Sequence, residues 1–239
     1  MTIDFDSLGM IGDQGLNLGP SHPPIDDQQI ASAIKLIDAS GICVRVAKWR
    51  SEDQERAGKG RGGRPGSLND RVVLVLLLVL ALEGSPLLVT HAAAVVEHRL
   101  SGEARAMLGI SPDRIGNPVW YDRFWRAFHS LLDVIDPFPG PRNRLLTVDE
   151  WADVMASRDS EECERKQERL DWVANQLLEA SMRMMPRSVR RKWKGNVCID
   201  ATPVAAFGKR GTTKRSDWVS IEPDGGWYVR EGDVSVGQA

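Results

Sequence analysis

The chain reads as mainly α: a helical N-terminal region with helix-turn-helix-like spacing, followed by the first strands of an α/β core. Three observations predict this class. Apolar residues recur at three- and four-residue intervals in several segments between residues 27 and 185, the pattern of helices that bury one face. Short Gly, Pro, Ser and Asn signals separate most of those segments. The clearest strand-like run, Val197-Cys198-Ile199, comes late, entered from Gly195-Asn196 and left through Thr202-Pro203.

With 239 residues the chain can bury a sizeable core, as one large or two small domains. Its 42% hydrophobic and 27% charged residues are those of an ordinary soluble protein, so pattern rather than composition decides the reading. The longest apolar run, residues 72–82, falls well short of the roughly 20 residues a bilayer span requires, so it reads as a buried helix and no membrane role is expected. Cys43, Cys163 and Cys198 are odd in number and widely spaced, with no CxxC and no secretory signal, which fits a reduced, cytoplasmic setting. The net charge of −2 hides an asymmetry. Residues 1–40 carry six aspartates against Lys35, whereas residues 183–215 carry ten Lys and Arg against Asp200 alone. A basic stretch of that density suits phosphate contacts, although many charge runs are only solvated faces.

Taken in order, residues 1–67 form an irregular acidic arm and a basic Gly-rich linker around one short helix at about 27–40, with a strand possible at 42–46. The linker, residues 56–67, holds five Gly with Arg56, Lys59, Arg61 and Arg64; such arms lie along DNA backbones or serve as plain tethers. Residues 68–136 turn helical. A helix over 69–82 stops at Glu83-Gly84, Ser85 caps a second helix with Pro86 at its first position, and Ser101 precedes a short third. Asn117-Pro118 opens a fourth, in which Trp120, Phe124, Ala127, Phe128, Leu131 and Leu132 form one face. Several short helices with tight turns suit a helix-turn-helix DNA-binding region, and equally any small bundle.

Pro137, Pro139 and Pro141 mark a boundary. Residues 137–194 are then a linker, a long helix over 160–185 and a basic run. Leu170, Val173, Ala174, Leu177 and Leu178 give that helix an apolar stripe, and Asp159 with Glu162 caps it. Pro186 ends it, and PRSVRRKWKG leads directly into the strand-like run and residues 195–239.

Several common chemistries are absent from the sequence. His91 and His98 have no third histidine or cysteine beside them and read as ordinary helix residues. Neither a Walker loop nor a GxSxG elbow is present. What remains is Asp200, which either caps the turn that follows or sits at a strand end, where an aspartate flanked by cations can hold Mg²⁺ beside a nucleic-acid phosphate.

Together the helical region, the basic run, VCIDATPVAAFGKRG and EPDGGWYVREGD resemble bacterial insertion-sequence transposases of the DDE class. The resemblance implies a ribonuclease H-like core that opens with a strand ending in the first catalytic, metal-binding aspartate. Asp200 matches that residue, and Trp227-Tyr228-Val229-Arg230 matches the next strand region. It implies double-stranded DNA at the element ends as partner, Mg²⁺ as the ion of a complete core, and metal-dependent strand cleavage and transfer. The cations assigned to DNA are Arg187, Arg190, Arg191, Lys192, Lys194, Lys209 and Arg210, with Arg61 and Arg64 from the linker.

The departure from the family pattern is equally specific. The second and third acids of the family lie far downstream, yet 39 residues follow Asp200, and Asp217, Asp224 and Asp233 occupy no matching position. The core is therefore expected to be truncated and the chain limited by itself to DNA binding, with an exposed sheet edge favouring homo-oligomers. The other reading is a non-catalytic helical regulator that binds DNA or protein and treats Asp200 as a turn residue.

Overall fold

The computed structural model describes residues 23–58, 68–111, 120–138, 140 and 146–193, together with the backbone of four short strands beyond residue 203. The described part is mainly helical. It divides into two units, residues 1–135 with 169–185, and residues 136–168 with 186–239.

In the first unit α1 (Asp27–Ser40) is capped by the Asp26 carboxylate, which accepts from the Gln28 N–H, and buries Ile30, Ala33 and Ile37. Gly41, at φ +70°, supplies the left-handed residue that ends α1 and turns directly into α2 (Ile42–Arg56). The strand expected at 42–46 is thus the first turn of a helix. Ile42, Val46 and Trp49, at i, i+4 and i+7, are buried, while Val44 is 78% exposed; alternation would have buried Val44 with its neighbours.

The central element is α3 (Asp70–Leu82), capped by Asn69. Val72, Val73, Val75, Leu76, Val79 and Leu80 are all buried, so the helix is covered around most of its circumference, by α1, by α4 (Val89–Ala94) and by α6 (Trp120–Ile135). Gly84, at φ +67°, closes α3: its N–H donates to the Ala81 carbonyl and the Ser85 N–H to that of Leu80. Ser85 therefore finishes one helix instead of starting the next, and α4 begins at Val89, three residues later than Pro86 implies. A π-helical turn over Val95–Arg99 follows, then α5 (Gly102–Met107), capped by Ser101. On α6, Trp120, Phe124, Leu131, Val134 and Ile135 face the core.

Four arginine forks stitch these helices together. Arg71 grips Asp38, Arg50 grips Asp70, Arg99 grips Glu83, and Arg169 grips Asp53, each through two nitrogens and both carboxylate oxygens. The helices at 27–56, placed by sequence with an arm and linker, belong to the same core as those after residue 68.

In the second unit, β1 (Leu146–Thr147) leads into α7 (Val148–Ser157) through a reciprocal cap: Thr147 Oγ1 accepts from the Glu150 N–H, and the Glu150 carboxylate accepts from the Thr147 N–H. Phe138 stacks on Trp151 at 5.6 Å. The helix α8 (Ser160–Met184), capped by Asp159, contributes residues 160–168 here and the remainder to the first unit. After Pro186 comes α9 (Arg187–Lys192). The backbone then forms β2 (Val204–Ala205), β3 (Trp218–Val219), β4 (Gly226–Arg230) and β5 (Asp233–Gln238). The antiparallel order is β2-β5-β4, and β3 pairs with β1.

Candidate nucleic-acid interface

Of the residues assigned to DNA, Arg187, Arg190, Arg191 and Lys192 are described, and all four are exposed on α9. Proline cannot continue α8, because its nitrogen has no hydrogen to give the i−4 carbonyl, so the chain restarts at Pro186. The Pro186 carbonyl accepts from the Val189 and Arg190 N–H groups, and the Trp193 N–H closes the turn on Val189. At 100° per residue, Arg187, Arg190 and Arg191 share one side, and Lys192 lies a further 100° round from Arg191.

No acidic residue occurs between Pro186 and Trp193. Arg187 thus meets like charge at i+3 and i+4, which costs an isolated helix a few tenths of a kcal/mol per pair. A polyanion laid along this turn would remove that repulsion and release counterions. Val189, 49% exposed among the cations, could contact the apolar edge of a sugar or base. It escaped the sequence reading, where its only signal is being apolar inside a basic run.

The arginines of residues 68–136 are engaged differently. Arg71 and Arg99 sit in carboxylate forks, and Arg105 donates to the Val96 and Glu97 carbonyls, capping the π turn. Arg123 lies over the Trp120 ring at 5.0 Å, and Arg126 donates to the Asp122 carbonyl. Every described arginine of this segment has a partner within the protein, whereas on α9 four cations within six residues are exposed.

Asp200, Lys194, Lys209, Arg210, Arg61 and Arg64 lie outside the described residues. Among the described residues no group of three His, Cys, Asp or Glu is placed to hold a metal ion, so no Mg²⁺ donor set is brought together there. His91 is buried whereas His98 is 40% exposed beside Glu97, so the two do not converge. Cys43 and Cys163 are free thiols, one in each unit. Burial, reinforced by Asp70 and Asp38, pushes the Cys43 thiol up to about 11, which leaves it inert as a nucleophile at neutral pH. No described helix is long and apolar enough to cross a membrane. Neither a family model, nor a curated protein, nor a solved structure matches the chain.

Proposed function

We propose that the chain binds double-stranded DNA through α9 and the basic residues that follow it, as a transposase-like protein. One observation carries the reading: four exposed cations in a six-residue helix whose own sequence contains no acidic residue. The sequence resemblance supplies the context. In it, Asp200 is the first metal-binding aspartate of a ribonuclease H-like core and Mg²⁺ its ion, and the helical segment 68–136 is a helix-turn-helix-like DNA-binding region. Binding needs only the phosphate contacts, so it stands apart from any strand chemistry.

Changing Arg190, Arg191 and Lys192 together to Ala tests the interface in the full chain. Three lost phosphate contacts lower the slope of log K against log salt by about 2.7 and weaken binding to unrelated duplexes equally. An unchanged affinity and slope would remove α9 from the interface. Asp200→Ala separates the two readings of that residue. A metal ligand leaves duplex binding intact and removes Mg²⁺-dependent strand cleavage, whereas a turn residue costs about 1 kcal/mol of stability and nothing else.

A further inference from the structure

We infer that the C-terminal two turns of α8 with Met185 after them, residues 178–185, are a strap that opens as a local unit beside an apolar groove, hinged on a firmly anchored stretch at 169–177. The anchor is built from buried contacts. Arg169, 4% exposed, forks onto Asp53 at 2.6 and 2.8 Å, donates to the Val134 carbonyl at 3.1 Å and lies 5.3 Å over the Trp49 ring. Trp172 meets Trp49 edge-on at 5.3 Å, and the Arg45 guanidinium reaches both rings, at 5.6 and 5.5 Å. Trp172, Val173 and Leu177 pack against the core of the first unit.

Beyond Leu177 this grip ends. Leu178 is 61% exposed, Met184 is 36% exposed, and Ala180, whose side chain is a single methyl, is the only residue of 178–185 that is fully buried. The Ser181 hydroxyl donates to the Leu178 carbonyl, a contact made along α8 itself. Beside this stretch lies an open apolar groove of about 300 Å³, lined on one side by Ala33, Leu36, Leu78 and Leu82 and on the other by Ser181, Met184 and Met185. A segment with so little buried apolar surface, facing an open groove, has a low local opening free energy although its helix is continuous with a tightly held one. The unbranched methionines at its end can repack over the gap without a fixed fit. Opening widens the groove along Ala33, Leu36 and Leu78 while leaving the Arg169 fork closed.

Amide hydrogen exchange on the full chain tests the strap. Residues 178–185 are expected to exchange about tenfold or more faster than 170–177. Ser181→Leu, which fills the groove from an exposed position, should slow exchange in 178–185 about tenfold and leave 170–177 unchanged. Leu82→Asn, at a residue already 64% exposed, should speed it. Equal protection in the two stretches would overturn the inference. So would a fast 178–185 that neither variant alters, since simple fraying of a helix end does not depend on what lies beneath it.

Discussion

The Arg169–Asp53 fork predicts an asymmetry between its two partners. Asp53→Ala leaves the Arg169 guanidinium 4% exposed with one carbonyl, that of Val134, and the Trp49 face for company. An uncompensated buried charge costs about 3–5 kcal/mol, and because Asp53 is itself 30% exposed, water reaches the vacated space and the lower figure applies. Arg169→Met is milder. Asp53 retains Arg56 at 3.0 Å and its access to solvent, and methionine keeps the apolar stem of the arginine, so the loss is about 1–2 kcal/mol. Urea unfolding followed by tryptophan fluorescence reads both, through Trp49 and Trp172 beside the fork. With a denaturant slope of about 2 kcal/mol/M, the midpoint falls by about 1.5 M for Asp53→Ala and by about 0.5–1 M for Arg169→Met. Combining the two should recover part of the loss seen in Asp53→Ala alone, because the stranded charge is gone. A larger cost for Arg169→Met, or two costs below about 0.5 kcal/mol, would mean that the fork is a surface pair in energetic terms.

The Arg71 fork holds the Asp38 carboxyl below its ordinary range, so its contribution is complete above the unfolded value and is lost as pH falls through the folded one. Since Asp38 is half exposed, Asp38→Asn should destabilise by under about 1 kcal/mol at pH 7, a difference that shrinks as pH falls below the ordinary aspartate value of about 3.9; a difference that grew on acidification would contradict this. Cys43, raised from 9.0 to about 11, has about a hundredfold less thiolate at pH 8 than an ordinary thiol and should alkylate correspondingly slowly until the chain is unfolded in urea.

Helices with clear local signals were legible in the sequence. Asp159 caps the helix it was expected to cap, helices begin beside Asn69 and Ser101 where the sequence placed them, and the apolar stripe of α8 marks its length. The failures came where a local signal had two uses. Ile42, Val44 and Val46 alternate as a strand does, but Trp49 completes a helical period that a five-residue window misses. Ser85 looks like a cap and is consumed in closing α3. The π turn leaves no mark in VVEHRL, because one extra residue per turn changes neither composition nor spacing enough to read. The forks were invisible for a different reason: Arg169 lies 116 positions from Asp53, and one sequence gives no means of pairing residues at that distance. At the candidate interface, the basic run and its division from α8 at Pro186 could be read from charge and from the proline, but the helical turn the run forms and the place of Val189 needed the backbone.

The covered helix α3 has a consequence for how the chain is made. Its apolar run is complete once Leu82 is synthesised, whereas α6, part of its cover, ends at Ile135, 53 residues later (135 − 82 = 53). At a ribosomal pace of about 5–20 residues per second, that interval lasts about 3–10 s. Throughout it, the nascent chain presents Val72 to Leu80 without its full casing, α1 having been made before α3 and α4 being added on the way to α6. The order of the helices along the chain thus makes the wait for α6 an interval in which apolar surface is open to aggregation, and one that a holdase would protect.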